Sequence, residues 1–248
     1  MLKHGFEMVW TTVVEEENFD IRYFSRVENV NRNESSVLLQ YAKPDYKVYA
    51  EECDFLIWTA PMTMLLNSLS NPTKDEIDLF STLSPHYVVA TLMKEKGVIR
   101  NMPVNFYQES LDKKIDGGVA IDYNLEDALN YCDNGCAFPS NDYSKDIDKE
   151  RHLTFLQFTR EAMSEKQANQ IAREHYEKGF NATSVNFLNT KIWTWNYQWT
   201  PKEVAKGNHW KVFNIQGKQR TWYAGSSVSF EMVKSVMEYN ELLLRQMN

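Results

Sequence analysis

The 248-residue chain reads as an α+β protein. Three observations predict this. Short alternating strands between residues 21 and 50 are separated by turn residues, which marks a β-meander. Helical periodicity recurs at 5–17, 62–83 and 164–178, so helices are interspersed among strands. The last thirty residues run from a short aromatic strand through a small-residue turn into an apolar helix.

The elements follow in order. Phe6, Val9, Trp10 and Val13-Val14 give residues 5–17 an amphipathic helical pattern. Residues 20–32 read as a strand through Ile21, Tyr23, Val27 and Val30. Val37–Tyr41 and Tyr46–Tyr49 are two more strands, with Pro44-Asp45 turning between them. Cys53–Thr59 is a continuous apolar run, the signature of a strand buried on both faces, and Pro61 stops it. Residues 62–83 are helical, with a new start at Thr73 as cap and Asp75-Glu76 in its first turn. His86–Tyr107 predicts strands. Residues 112–150, including the Gly117-Gly118 pair, are polar and turn-rich, so loops and a lid or partner surface are expected there. His152–Phe158 is a strand, and 164–178 a helix capped by Ser164 and ended by Gly179.

Ile192–Trp199 alternates strictly, which puts Trp193, Trp195, Tyr197 and Trp199 on one face. Four large rings in a row make a core wall or one wall of a ligand pocket. The closing helix carries Val233, Val236, Met237, Leu243 and Leu244 as an apolar stripe. Ser227 or Ser229 can cap it, and Glu231 sits in its first turn. A helix start gathers free amide groups and a partial positive charge, which suits an anion or a polarised carbonyl. Gly225 carries no side chain, so a ligand could approach the backbone there. Closure of the domain without a ligand fits the same pattern.

Composition excludes several classes. The net charge of −7, from 34 acids against 27 bases, leaves no basic face for nucleic acid. The nine glycines form neither G-x-G-x-x-G nor a Walker A loop, so no phosphate cradle of those types is encoded. Three cysteines suggest a reducing, cytoplasmic setting, and Cys132-x-x-x-Cys136 lacks the further ligands of a zinc site. No apolar run reaches membrane length, and the first residues lack a signal-like apolar stretch. The histidines show no partnered spacing. His152 and His209 are the ones to inspect, with Lys191 just before the aromatic strand.

The run Gln216–Ser227, with Phe230–Val233 and Tyr239-Asn240, resembles the end of the flavin-containing amine oxidase and FAD-dependent oxidoreductase superfamily. The meander and the Glu52–Pro61 strand are similar to the middle of those enzymes, and Phe6–Trp10 to the helix before it. The resemblance covers the chain in order. It implies an incomplete FAD/NAD(P)-binding α/β fold, with 1–61 and 200–248 as a partial FAD-binding domain and 62–199 as a substrate domain. It implies FAD contacts at Val27, Ala224, Gly225, Ser226 and Met232, and a substrate pocket by Trp193, Trp195, Tyr197 and Trp199. Hydride would pass from a small organic substrate to the flavin. The family's opening strand, glycine-rich turn and helix are missing from this sequence, so either a partner chain supplies that Rossmann unit or the sequence is a fragment of a longer enzyme. A paralogue that has lost FAD and binds a partner fits as well.

Overall fold

The computed structural model describes residues 5–98, 104–112, 116–124, 148, 150–229 and 232–247. The chain divides into two compact units, Met1–Ser84 with Asn196–Asn248, and Pro85–Trp195.

The first unit opens with α1 (Gly5–Glu17), followed by the meander β1 (Arg26–Arg32), β2 (Val37–Ala42) and β3 (Val48–Cys53). Its strands are antiparallel, from Arg26↔Ala42 to Arg32↔Val37 and from Val37↔Cys53 to Ala42↔Val48, with a bulge between Val27 and Asn29. Asn33 makes the first hairpin turn: its Oδ1 accepts from the amides of Ser35 at 2.7 Å and Ser36 at 2.8 Å. β4 (Leu56–Trp58) pairs in parallel with β10 (Thr221–Tyr223), a neighbour 165 positions away in register Thr221↔Leu56. Two short helices follow β4, α2 (Met62–Ser68) and α3 (Lys74–Phe80). The second starts with a reciprocal capping box between Thr73 and Glu76. Val30, Val37, Trp58, Met62, Phe80 and Trp199 meet in one core.

The second unit is a sheet in the order β6-β7-β8-β5-β9. Its strands are β5 (Ser84–Lys96), β6 (Val104–Phe106), β7 (Val119–Asn124), β8 (Arg151–Thr159) and β9 (Ser184–Gln198), with α4 (Gln108–Asp112) between β6 and β7. Along β8 every second residue is buried, so one face carries Leu153 and Phe155 into a core with Met93, Ala172 and Tyr176. α5 (Glu165–Glu174) covers that face through Ala168 and Ala172, and a π-helical turn, His175–Gly179, ends it. The chain returns to the first unit through α6 (Pro201–Ala205), α7 (Asn208–Phe213), β10, α8 (Ser226–Ser229) and α9 (Val233–Met247).

Several expectations change. The helices at 62–80 sit in the first unit because Met62, Leu65, Leu79 and Phe80 fill its core. The division therefore falls after Ser84 and Trp195, not at 61 and 199. Residues 20–25 precede the first strand, with Phe24 in a left-handed conformation at φ 55°. Tyr46 also has positive φ, 61°, so the next strand starts at Val48. The Cys53–Thr59 run is not one strand buried on both faces. β3 ends at Cys53, Phe55 and Ile57 are exposed, and only Trp58 of β4 is buried. β7 lies inside the stretch expected to be loop, because Val119, Ala120 and Asp122 are buried along it. The remainder of that stretch, 125–147, with Cys132 and Cys136, lies outside the described residues. The closing helix is two helices, and of its expected stripe Leu243 is the buried member while Val233, Met237 and Leu244 are exposed.

Candidate functional site

β10 owes its position to a buried charge network. Arg32, at the end of β1, grips Glu76 with both guanidinium nitrogens, at 2.6 and 2.9 Å, and both side chains are almost fully covered. The same guanidinium donates to Thr221 Oγ1 at 3.1 Å and to the Asn71 carbonyl at 3.2 Å. The Tyr223 hydroxyl donates to Glu76 as well. Burial alone would raise the Glu76 carboxyl. Hydrogen bonds from Arg32, Tyr223 and Thr73, with the guanidinium charge, outweigh it and hold Glu76 below its ordinary value. Burial and the negative charge of Glu76 push the Tyr223 phenol far upward, so it remains a donor. On the side of β10 away from β4, the Gln216 amide acts as a substitute strand. It accepts from the Tyr223 amide at 2.7 Å and donates to the Tyr223 carbonyl at 2.8 Å.

The bend follows directly. The Ala224 amide donates to the Trp58 carbonyl at 3.0 Å. Gly225 turns the chain at φ +88°, and a Cβ placed there would lie 2.6 Å from the Thr59 carbonyl oxygen. Its bare Cα is therefore spent on the crossing with β4, not on the ligand approach expected from sequence. The Gly225 carbonyl accepts from the amides of Val228 and Ser229, both at 3.2 Å, and starts α8.

One cleft opens beside α8. It measures about 190 Å³ and is lined by Tyr197, Trp199, His209, Ser226 and Ser227, with Val204 on the rim. Trp199 is fixed: its indole nitrogen donates to the Leu79 carbonyl at 3.0 Å and to Thr82 Oγ1 at 3.1 Å. His209 meets the Trp199 ring edge-on at 4.8 Å, and its Nδ1 stands 3.3 Å from the Val228 carbonyl. With Nδ1–H given to that carbonyl, Nε2 carries the lone pair. The cleft thus offers aromatic walls, two hydroxyls and an imidazole.

Tyr197, Trp199 and Ser226 of the sequence-derived set come together here. Ala224 and Gly225 hold the bend beside it. Val27 packs against the core on β1, and Met232 is 58% exposed ahead of α9; neither lines the cleft. Trp193 and Trp195 belong to the second unit and are exposed, with Trp195 tilted against Phe158 at 4.8 Å. The aromatic face is therefore not a single wall within either unit. The sequence marks Ser227 only as a helix cap and does not single out Val204 at all, because they reach the cleft from separate short helices.

FAD fits this chain only in part. A planar ring can lie against Tyr197 and Trp199, whereas 190 Å³ is below the roughly 300 Å³ floor of small-molecule pockets, and no glycine-rich phosphate cradle is encoded. Among the described residues no cluster of His, Cys, Asp and Glu could hold a metal ion, and no helix is long and apolar enough to cross a membrane.

No protein-family model matches the chain, and no curated protein does. Solved structures do. A CLA-producing fatty acid isomerase from P. acnes matches with a TM-score of 0.61 and 18% identity, over 90% of this chain and 47% of its own. A putrescine oxidase redesigned in its cofactor binding matches with a TM-score of 0.53 and 10% identity, over 98% of this chain and 53% of its own. At these identities the likeness shows a shared fold. The chain spans about half the length of each of these two.

Proposed function

We propose that this chain forms the rear part of an FAD-dependent, amine-oxidase-like oxidoreductase. The observation that carries the reading is the β4–β10–bend–α8 arrangement, with its aromatic cleft, in a chain that shares its fold with two enzymes over nine-tenths of its length or more. Bound flavin would supply hydride acceptance from a small organic substrate. The chain's own residues hold the ring: Tyr197 and Trp199 form the wall, Ser226 and Ser227 line it, and His209 offers a nitrogen. The pyrophosphate end requires another α/β unit, from a partner chain or from a further part of the same polypeptide.

The open side of β4 supports such a unit. Gln216 seals β10, whereas the edge of β4 away from β10 has no neighbouring strand among the described residues, and Ile57 on it is 45% exposed. Parallel sheets are normally buried on both faces and rarely stop at two strands. A second reading is a cofactor-free protein that binds a partner. The exposed side chains of Trp10, Phe19, Tyr23 and Phe24 favour it.

Riboflavin separates the readings, since its ring needs no phosphate cradle. Titrating it with the purified chain should quench its fluorescence. Val204→Trp, which fills the cleft from an exposed position, should abolish the quenching. FAD should bind no more than about threefold tighter than riboflavin, because the chain alone gives its phosphates no cradle. Absence of quenching, or quenching indifferent to Val204→Trp, would overturn the flavin reading.

A further inference from the structure

The short helix α6 is held at its two ends and hardly between them. Before it stands Trp199, buried and anchored through its indole to Leu79 and Thr82. After it come Asn208 and Val212, both buried. Between these anchors α6 itself buries no residue. Among the described residues one side-chain hydrogen bond from the body reaches it, from Asn208 Nδ2 to Glu203 Oε2 at 3.3 Å. A helix that covers no apolar surface gains little from packing, so its position rests on that tie and on its two joints.

There is open space on both sides of α6. Val204 lines the 190 Å³ cleft. Glu203 and Lys206, three residues apart and so on one face, line a second hollow of about 650 Å³, shared with Asp75, Asp78 and Ser81. The helix is thus a wall one element thick between two empty spaces. Gly207 forms the joint behind it, at φ +76°. A Cβ there would have only Trp210 Cδ1 as a near neighbour, at 3.9 Å, so the backbone conformation and not crowding calls for glycine. Such a position can absorb the dihedral change of a moving segment.

We propose that α6 is a flap over the cleft, swinging on Thr200 and Gly207 into the larger hollow to admit ligands bulkier than the closed 190 Å³ space holds. The movement gives up no buried side chain of α6, and its one tie to the body is the Asn208–Glu203 hydrogen bond. The flap belongs to the cleft whatever occupies it, so the proposal stands apart from the flavin reading.

Thiol labelling tests it without any ligand. Ser227 is 6% exposed in the cleft, so Ser227→Cys reports opening of the flap. Val212→Cys, at a fully covered core position, reports global unfolding. Modification by a maleimide is read peptide by peptide in a mass spectrometer, which sets aside the native Cys53, Cys132 and Cys136. Position 227 should react faster than position 212. Glu203→Ala removes the tie and should speed labelling at 227 about three- to tenfold, with no change at 212. Ser81→Trp, from an exposed position, takes up the larger hollow and should slow labelling at 227 towards the rate at 212. Equal rates at the two positions would overturn the proposal, as would an equal rise at both in Glu203→Ala. So would labelling at 227 that ignores either Glu203→Ala or Ser81→Trp.

Discussion

Glu76→Gln tests whether the buried network sets the position of β10. The Glu76 side chain is 2% exposed and that of Arg32 is fully covered, so neither charge is screened by solvent. The substitution keeps the shape but leaves the guanidinium without a counter-charge. Breaking a buried pair in this way costs about 3–5 kcal/mol, and at roughly 2–4 °C per kcal/mol the melting point should fall by about 6–20 °C. The double variant Arg32→Met with Glu76→Leu should recover most of that loss, since an apolar replacement removes both desolvation penalties. The pH dependence has a definite sign. Glu76 is depressed in the folded state, so its contribution is complete above the ordinary carboxylate value of about 4.3 and is lost as pH falls through the lower folded value. Urea midpoints should therefore decline over that window in the wild type more steeply than in Glu76→Gln. A loss below about 1 kcal/mol, or equal pH slopes in both proteins, would refute the reasoning.

Three other outcomes follow from the same geometry. Gly225→Ala should cost more than about 2 kcal/mol in thermal denaturation, from the left-handed φ and the clash with the Thr59 carbonyl, whereas Gly179→Ala, with nothing near its Cβ, should stay within about 1 kcal/mol. Trp199→Phe removes an indole donor from the Leu79 carbonyl and Thr82, and should lower stability by about 1–3 kcal/mol in urea titration. Trp193→Gln, at a 56% exposed position, should shift the midpoint by no more than about 0.5 kcal/mol.

Local chemistry was legible where it was local. Thr73 and Ser164 cap helices because each is followed three residues later by a carboxylate or amide that answers it, and that pair is written in the sequence. Alternation identified β8 and β9 for the same reason. The aromatic quartet misled because alternation fixes the face of a strand, not its surroundings: β9 runs across the division after Trp195, so two rings enter one unit and two the other. The Cys53–Thr59 run looked doubly buried because apolar content alone does not report how many strands flank it. Gly225 was read correctly as a position that needs no side chain, but the crowding atom comes from Thr59, far away in the chain. The Arg32–Glu76–Tyr223 network joins residues 44 and 147 positions apart, and no spacing rule reaches that distance. The stripe on α9 mixed the buried Leu243 with the exposed Val233, Met237 and Leu244, because apolar content alone does not say which side of a helix meets the body.

The proposed flavin role places an isoalloxazine ring in the hollow beside α8. A crystal soaked with lumiflavin, the ring without its tail, addresses it most directly. Density for the ring between Trp199, Tyr197 and the first residues of α8 is the predicted result. A ring found elsewhere, or none at saturating concentration with that hollow open to solvent channels, would contradict the account.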